Sequence, residues 1–519
     1  MMTKDEYSLK SISAKQKMNS RPNPSFFLIN MKDNIKLLYI DLFCGAGGTS
    51  TGVEMANLNN SKCAKVIACV NHDKNAIASH LANHPDAMHF TEDIRTLDLT
   101  GLKEHVKNQH TLYPDAKIVL WASLECTNFS RAKGGLPRDA DSRTLAEHLF
   151  RYIDEINPDY IQIENVEEFM SWGDIDEKGK PISKDAGRLY MLWVQKVCKR
   201  GYVFDYRILN SANYGAYTSR KRFFGIFAKH DLPIVFPEAT HERNPNGGMF
   251  GSLKPWMPVK DILDLEKQGN SIFDRKKPLV DATLQRIYAG LIKFVAGGKQ
   301  AFLSKQYGGD PSGKNISIEQ PAGTITCKDH HALVTIKSES KICFIDMMYG
   351  KGTPASVDEP AMTVTANPKH NLITVVQEPS VENRYLMNPQ FGCEGASIEK
   401  PCFTLIAKMD KRPPYLIDTT STSRPSFIRE EHGTLIYEIY DTDSEIMKKI
   451  KEFMARYGKT DIMMRMLDEI ELKMIMGFPR DYVLIGTQAD RKKYIGNAVV
   501  TVIPQMWAEA LAEQLKNAS

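Results

Sequence analysis

The sequence of 519 residues lacks the cysteine spacings of a cross-linked or metal-bound protein. Its nine cysteines are scattered, with no Cys-x-x-Cys pair and no short recurring interval. This distribution predicts neither a disulfide framework nor a zinc site, and it favours a reducing environment. No apolar run is long enough to span a bilayer, and the polar first residues (1 to about 24) do not resemble a signal peptide. We therefore expect a cytoplasmic protein with no bound metal and no membrane partner.

The sequence also lacks a large excess of either positive or negative charge. Lys and Arg number 67 and Asp and Glu number 63, which gives a net charge of +4 at pH 7. That value permits nucleic-acid binding without arguing for it, because what matters is charge clustered on one face. The composition, 42% hydrophobic and 25% charged, is that of a globular protein, and the length predicts two or more domains.

Short apolar runs alternate with helical patterns between residues 36 and about 229. The runs predicted to form strands are 37–40, 66–70, 118–122 and 160–163. Helical stretches, such as 73–82 and 144–156, lie between them. This alternation is typical of βαβ units around a buried parallel sheet.

Polar or reactive side chains follow each of these four runs. They are Asp41, Asn71, Cys126 and Glu164. The carboxyl ends of parallel strands meet at one edge of a sheet, and open sheets bind ligands at that edge. The sequence therefore predicts a functional site there.

The glycine turn and the polar residues after the second predicted strand each allow a structural interpretation as well as a functional one. Gly45, Gly47 and Gly48 lie between a strand and a helix, which fits either a tight turn or a nucleotide-binding turn. Asn71 is placed to meet a ribose, whereas Asp73 beside it fits a helix N-cap.

Cys126 and Glu164 also allow both a functional and a structural interpretation. Cys126, in a polar loop after a strand, is either a nucleophile or an inert thiol. Glu164 is either a strand-end carboxylate that caps or pairs, or an acid that gives a proton to a ring nitrogen. Asp93 reads as a loop carboxylate after a further strand.

The composition changes from about Phe236. Pro, Gly, Asn and Ser are frequent in 241–258, which predicts a domain boundary, and a helical pattern follows at 281–295. The final segment, from about 494 to 516, opens with Gly496-Asn497 and continues as an apolar-periodic helix. This helix has no evident partner in the middle region and is free to return to the first domain.

An imperfect repeat occupies the middle of the chain. A Pro-Ala-x-Thr-x-Thr segment begins at Pro321 and at Pro360, and His-led apolar segments follow at His331 and His370. A degraded third copy begins at Pro401. Alternating Thr and β-branched residues predict short strands, so this region is expected to be β-rich. It serves either as a structural subdomain or as a surface that reads DNA.

The motifs, taken in order, resemble those of the cytosine-5 DNA methyltransferases, and the resemblance covers roughly 36–229 and 465–514. Three motifs match well: the cofactor loop at 41–48, the nucleophile loop at Cys126, Phe129 and Ser130, and Glu-Asn-Val at 164–166. Three match in part: the arginine motif at Arg220 and Arg222, an Arg-x-Leu segment at Arg465 and Leu467 with Glu471, and a closing Gly-Asn at Gly496 and Asn497.

The resemblance implies an α/β fold, namely a Rossmann-like S-adenosyl-L-methionine-dependent methyltransferase domain with a smaller, β-rich target-recognition domain. It implies four segments: a flexible 1–35, the first part of the catalytic and cofactor-binding domain at 36–235, a target-recognition region at 236–487, and a C-terminal segment completing the catalytic domain at 488–519. The expected partner is double-stranded DNA, bound by a monomer. A cognate restriction endonuclease, in a restriction-modification system, is a further candidate partner.

The resemblance also implies roles. Cys126 would add to carbon 6 of a flipped-out cytosine, and Glu164 would hold the ring at N3. Arg220 and Arg222 would hold the nucleotide and the nearby backbone. S-adenosyl-L-methionine would be bound by residues of the strand ends and turns: Asp41, Phe43, Gly45, Gly47, Gly48, Asn71, Asn497, and Asp93 at the adenine amine.

Some positions depart from the family's pattern. Glu125 replaces the proline before the nucleophile, and a carboxylate beside a thiol disfavours the thiolate. Asn71 replaces the acidic ribose ligand, Thr218 a glutamine, and Asp468 a threonine. Cys126 and Glu164 are retained, so activity is expected. Two alternatives are an RNA cytosine-5 methyltransferase of the same fold and a non-catalytic nucleic-acid-binding relative. The long middle region favours DNA, because a module that reads sequence must reach the groove edges.

Overall fold

The computed structural model divides the chain into two compact units, Met1–Asp33 and Asn34–Ser519. All residues described below belong to the second unit. They are 34–124, 146–174, 186–245, 253–262, 264, 270–273, 275–292, 301–306, 315–317, 331–338, 340–347, 355–356, 370–377, 384–387, 392–394, 396–397, 415–418, 425–431, 434–464 and 468–518. Cys126 and the rest of its loop, Arg465, Leu467 and the proline-led segments of the repeat lie outside the described residues.

The helices are spread over the whole described part of the chain. They are α1 (Gly48–Met55), α2 (Lys74–Asn83), α3 (Thr100–Leu112), α4 (Leu149–Ile156), α5 (Arg188–Cys198), α6 (Asp281–Gly290), α7 (Glu445–Arg456), α8 (Glu469–Ile475), α9 (Gln488–Asn497) and α10 (Val502–Ala518). Short 3-10 helices span Glu167–Ser171, Ser211–Tyr214 and Val259–Ile262.

The strands fall into an N-terminal group and a middle group. The first group is β1 (Leu37–Leu42), β2 (Asn57–Leu58), β3 (Ser61–Lys62), β4 (Ala64–Val70), β5 (Met88–Phe90), β6 (Lys117–Ser123), β7 (Tyr160–Asn165), β8 (Tyr202–Asn210) and β9 (Lys221–Lys229). The second is β10 (His241–Glu242), β11 (Lys254–Pro255), β12 (Asn270–Ser271), β13 (Ala301–Gln306), β14 (Asn315–Ser317), β15 (His331–Ser338), β16 (Ser340–Met347), β17 (Ala355–Ser356), β18 (His370–Gln377), β19 (Arg384–Met387), β20 (Gly392–Glu394), β21 (Ala396–Ser397), β22 (Tyr415–Asp418), β23 (Ile428–Glu431), β24 (Thr434–Tyr437) and β25 (Lys459–Met464).

The main sheet of the described residues has seven strands in the order β5-β4-β1-β6-β7-β9-β8. Strands β5, β4, β1, β6 and β7 run parallel. Strand β9 pairs antiparallel with β7, and the edge strand β8 pairs antiparallel with β9, so β8 runs in the same direction as β7. The chain moves from β1 to β4 on one side and later to β6 on the other. The strand order therefore reverses between β1 and β6, which is where open α/β sheets bind ligands.

Both faces of this sheet are covered, which explains why its central strands are almost uniformly apolar. Helices α3, α4 and α5 bury Leu102, Tyr152 and Trp193 against one face. Helices α1 and α10 bury Val53 and Trp507 against the other. The result is the two-sided α/β arrangement that the alternating pattern predicts.

All four predicted strands are present, and each is longer than predicted. Strand β1 extends to Leu42 and β7 to Asn165. Asp41 and Glu164 therefore belong to the strands rather than following them. Both remain in the last two residues of their strands, so the predicted edge is unchanged.

Helix boundaries are less well predicted. Helix α2 begins after Asp73, whose carboxylate accepts hydrogen bonds from the backbone N–H groups of Asn75 and Ala76, as an N-cap does. Helix α4 begins only at Leu149, although the pattern predicts a helix from 144. Helix α6 spans Asp281–Gly290 and is followed by π-helical residues at 291–292, while 293–295 of the predicted helix lie outside the described residues.

The middle region is β-rich, as predicted. A six-stranded sheet has the order β12-β25-β15-β13-β14, and β20 also pairs with β13. The His-led segments of the repeat are strands β15 and β18. A separate core of apolar residues includes Ile287, Phe453 and Ile462 and joins this sheet to α6 and α7.

The C-terminal segment forms two helices rather than one. Gly496 and Asn497 are the last residues of α9, and α10 begins at Val502. The chain leaves the first helix because Ala498 is extended, with φ −60° and ψ 149°. Within the described residues, no helix combines the length and the apolar character needed to cross a membrane. The four-segment domain division remains a prediction.

Candidate active site

A cleft of about 520 Å³ opens at the carboxyl edge of the parallel strands. Its walls come from the turn after β1, the residues after β4 and β6, the end of β7, and the segment where α9 ends. The predicted site residues among its lining are Phe43, Gly45, Gly48, Asn71, Asp93, Glu164, Arg220, Arg222 and Asn497. Residues distant in sequence are thus gathered where the strand order reverses.

The glycine turn forms one wall of this cleft. Phe43 has a positive φ of 59°, an uncommon conformation for a residue with a side chain. Gly45 also has a positive φ, of 53°, and the space that a Cβ would occupy there is open. At Gly48 an added Cβ would lie 2.7 Å from the carbonyl oxygen of Val499. The turn therefore offers bare backbone to the cleft and contacts the C-terminal segment directly.

Asp41 and Gly47 do not line the cleft; they lie behind its wall. Asp41 is buried, and its Oδ2 accepts a hydrogen bond of 2.7 Å from the Ser50 hydroxyl on α1. Burial raises the pKa of Asp41 to about 8. Gly47, with φ 101°, is the residue before α1 and lies against Tyr482. These contacts place both residues in support of the turn.

Asn71 and Asp73 follow β4 with different contacts. Asn71 lines the cleft, and its Oδ1 accepts a hydrogen bond of 2.9 Å from the backbone N–H of Asp73. Asp73 also caps α2, and both its carboxylate oxygens lie 2.9 Å from the hydroxyl of Tyr494, which donates to them. The helix-cap interpretation of Asp73 is confirmed.

Asp93 lies at the cleft but is already paired. Its carboxylate accepts from the guanidinium of Arg95, with the shortest contact 2.6 Å. Hydrogen bonding to Arg95 lowers the pKa of Asp93 to about 2. The carboxylate is therefore ionised and is oriented by its neighbour.

Glu164 is the buried carboxylic acid of the cleft. It pairs in the sheet with Ser123 of β6 on one side and with Phe224 of β9 on the other. Its Oε1 lies 3.5 Å from the Nε of Arg222. Burial raises the pKa of Glu164, and the positive charges of Arg222 and Arg220 oppose that rise only in part. A carboxyl group in these surroundings is suited to holding and giving up a proton.

The two arginines of the partial motif have different surroundings. Arg220 is almost fully buried, and its Nη1 donates a hydrogen bond of 3.1 Å to the carbonyl of Gly496. Arg222 is the second residue of β9 and lies beside Glu164. Arg220 thus joins the region before β9 to the end of α9.

Cys126 lies outside the described residues, as does Glu125. Ser123 and Leu124, which precede them, line the cleft.

Sequence reasoning missed several lining residues, including His72, Arg95, Lys493 and Tyr494. Two of these could have been found, since Lys493 and Tyr494 directly precede the Gly496-Asn497 motif.

The sequence was compared with models of known protein families. A sequence model of the family described as C-5 cytosine-specific DNA methylase matches residues 37–286 and 381–517. These ranges contain the main sheet and the C-terminal helices, and they exceed half of the chain. The chain belongs to this family. Its seven-stranded sheet and covering helices are the α/β methyltransferase fold predicted from the motifs.

The individual relatives that this chain resembles are distant. It is 27% identical over 253 residues to the type II methyltransferase M.AgeI of Thalassovita gelatinovora, which covers 46% of the chain and 53% of the relative. It is 31% identical over 205 residues to the type II methyltransferase M.XorII of Xanthomonas oryzae pv. oryzae, which covers 39% and 43%. The chain therefore spans about half the length of the curated relatives that it matches.

Among solved structures, the S. pombe Dnmt2 methyltransferase is similar to this protein over 93% of this chain and 100% of that one. The identity is 12% and the TM-score is 0.41. The family assignment depends on the match to the family's sequence model and not on this structural similarity.

Proposed function

We propose that this methylase transfers a methyl group from S-adenosyl-L-methionine to carbon 5 of a flipped-out cytosine within a specific sequence of double-stranded DNA. Cys126 forms the transient covalent bond to carbon 6, which makes the protein a DNA (cytosine-5)-methyltransferase. The observation that carries the proposal is the buried Glu164, beside Arg222 and in the same cleft as the glycine turn. An acid in that place is what a cytosine ring requires for activation.

The residues of the glycine turn fit the proposed cofactor. Gly45 leaves open the space that a Cβ would fill, so a ligand can approach the backbone. Phe43 presents an aromatic ring, while Asn71 and Asp93 present polar groups at the ends of neighbouring strands. These residues and Asn497 would hold S-adenosyl-L-methionine, which supplies an electrophilic methyl group. Asp41 and Gly47 would support the turn from behind the cleft wall.

Cys126 follows two residues after Leu124, which lines the cleft. Its thiolate would add to carbon 6 of the cytosine and drive electron density to carbon 5 and N3. Glu164 would give a proton to N3, and Arg222 and Arg220 would hold the nucleotide and its phosphates. Once carbon 5 has gained the methyl group, loss of the carbon-5 proton to solvent would re-form the 5,6 double bond and expel the thiolate, and the N3 proton would return to Glu164.

Target recognition would fall to the β-rich middle region. The cytosine is hidden in a duplex, so the base must leave the stack, at a cost of roughly a few kcal/mol. A separate region is then needed to hold the flanking duplex and read its base edges. The proposed partner is double-stranded DNA, and a cognate restriction endonuclease is a further candidate. The protein is proposed to act as a monomer.

The experiment is to incubate the purified chain with methyl-labelled S-adenosyl-L-methionine and either duplex DNA or tRNA. We expect label in DNA, with none after Cys126→Ser and full transfer after the matched change Cys198→Ser, which alters a half-buried cysteine on α5. Label in tRNA alone would favour an RNA methyltransferase of the same fold.

A second measurement uses duplex DNA containing 5-fluorocytosine, from which the carbon-5 substituent cannot leave. A covalent adduct that requires Cys126 is expected, and a non-catalytic binder would form none. Bisulfite sequencing of DNA from expressing cells would give the target sequence. Unmodified DNA there, together with no adduct, would overturn the proposal.

A further inference from the structure

A group of thiol and imidazole side chains includes Cys44 of the glycine turn, which also lines the cleft, and extends behind the turn. Cys44, Cys69 and His80 are all buried, and their ligand-forming atoms lie within 4.8 Å of one another. They come from three elements: the turn after β1, strand β4 and helix α2. None of them has a role in the proposed reaction.

A fourth side chain, that of His89 on β5, lies beside His80 at the edge of this group. Its Nε2 lies 2.9 Å from the Nδ1 of His80, and that Nδ1 lies 3.6 Å from the Sγ of Cys69. The Cys69 side chain also interacts with the side chains of Cys44 and His89. Cys69 therefore contacts all three other members.

Two of these separations are close to those of a tetrahedral metal site. Bonds of about 2.3 Å to sulfur and about 2.0 Å to nitrogen place S and N about 3.5 Å apart, and two N atoms about 3.3 Å apart, around zinc. The S···N separation in this cluster matches, and the two nitrogens would need to part by only a few tenths of an ångström.

One tautomer of His80 leaves its Nδ1 available as a ligand. The Ser50 hydroxyl donates to Asp41 at 2.7 Å, and its oxygen lies 2.8 Å from the His80 Nε2. In the tautomer that donates from Nε2 to Ser50, the Nδ1 carries a lone pair beside Cys69 and His89. Histidines that bind metals commonly donate their other N–H to a fixed acceptor, and here Ser50 and Asp41 provide one.

We propose that Cys44, Cys69, His80 and His89 bind a zinc ion. Two thiolates and two imidazoles form a donor set suited to Zn²⁺, and four protein ligands make a closed, structural site. The ion would join the glycine turn to β4, α2 and β5, and so fix one wall of the cleft. It is a site separate from the methyl-transfer chemistry.

The test is the metal content of the full chain, purified without chelator from cells supplied with zinc and carrying no histidine tag. We expect about one zinc ion per chain, and loss of nearly all of it after Cys69→Ser. The matched variant Cys198→Ser should retain the ion. Wild-type protein that contains no zinc, or a Cys69→Ser variant that keeps it, would overturn the proposal.

A second variant guards against misfolding, because His89 is only partly buried on a short edge strand. We expect His89→Gln to weaken zinc binding at least about tenfold in competition with a chromophoric chelator. His110→Gln, at a half-buried histidine near the end of α3, is the control and should leave binding unchanged. Cobalt substitution should give a thiolate-to-metal absorption band in the wild type and a weaker one after Cys69→Ser. Equal affinities for the two histidine variants, or the absence of that band, would contradict the assignment and leave only a hydrogen-bonded histidine pair.

Discussion

The hydroxyl of Tyr482 donates a hydrogen bond of 2.6 Å to the backbone carbonyl of Ala46, in the middle of the glycine turn. Tyr482 is buried and also lies 3.3 Å from the Nε2 of His84 on the chain leaving α2. A residue close to the C-terminus therefore fixes the wall at which we place the cofactor.

Removal of this hydroxyl by Tyr482→Phe is expected to lower the free energy of unfolding by roughly 1–2 kcal/mol, because the Ala46 carbonyl loses a buried partner. The affinity for S-adenosyl-L-methionine should fall as well, since the turn is held less firmly. Urea denaturation and calorimetric titration measure the two effects. Tyr440→Phe, at an exposed tyrosine bonded to Glu438, is the control and should change neither quantity.

The variant Glu164→Gln tests the proposed proton donor. An amide keeps the shape of the side chain but cannot give up a proton, so the single-turnover rate of methylation should fall by about 100-fold or more. The control is Glu147→Gln, at an exposed glutamate that forms an ion pair with Lys196. A rate within a factor of about two of the parent would remove Glu164 from the mechanism.

The pH dependence of the reaction follows from the same carboxyl group. Burial raises the pKa of Glu164 above its ordinary value of 4.5, so the acid form persists to higher pH and is lost as pH rises through the folded pKa. The rate attributed to proton donation should therefore fall on the alkaline side. By linkage, ionisation of this buried group also lowers the stability of the fold as pH rises over that window.

Arg222 sets the position of that alkaline limb. Its positive charge opposes the rise in the pKa of Glu164 from a distance of 3.5 Å. Arg222→Gln removes this charge, so the pKa of Glu164 and the alkaline fall in rate should move to higher pH. Arg222→Lys keeps the charge and should leave the fall in rate nearly in place. Single-turnover rates measured across pH decide between the two. Parallel profiles for all three proteins would show that Arg222 does not tune the acid.

Gly52 is predicted to be intolerant of any side chain. It lies in α1, where an added Cβ would overlap the carbonyl oxygen of Thr501 and approach Pro504 to 2.7 Å. Gly52→Ala should lower the free energy of unfolding by about 1–3 kcal/mol or more. Gly101→Ala, in the open first turn of α3, should instead be neutral or stabilising by up to about 1 kcal/mol. Chemical denaturation of both variants tests the contrast.

Trp507 anchors α10 on the main sheet. Its ring is fully buried against Trp121, with ring centroids 5.7 Å apart, and its indole N–H donates a 2.7 Å hydrogen bond to the Val235 carbonyl. Trp507→Ala should lower the free energy of unfolding by about 3–5 kcal/mol. Met191→Ala, at an exposed methionine on α5, should have little effect. Similar unfolding curves for the two variants would show that α10 contributes little to the sheet.

The strands and their functional edge were predictable because their signals are local. Apolar runs bounded by polar residues identify β1, β4, β6 and β7, and alternation with helical patterns makes the sheet parallel. The functional edge follows from topology, so Asn71 and Glu164 were expected to meet at one cleft, and they do. The start of α4 was harder to place because caps and turns blur a hydrophobic pattern.

Contacts between segments distant in sequence were not predictable. The scattered cysteines and histidines argue against a metal site, yet folding gathers Cys44, Cys69 and His80 into one cluster. The hydrogen bond from Tyr482 to the Ala46 carbonyl likewise appears only in the folded chain. Spacing rules detect groups of side chains on one turn or hairpin, whereas these three side chains come from a turn, a strand and a helix.

The sequence by itself determined the class of fold, the order of the motifs and the chemical groups available, because each depends on short stretches of chain and on their succession. Tertiary structure alone decided which groups face the cleft and which support it. It also decided that Tyr482 and α10 return to the first half of the chain. The physical reason is that a local pattern specifies a strand or helix, while contacts between elements depend on how the whole chain closes its buried surfaces.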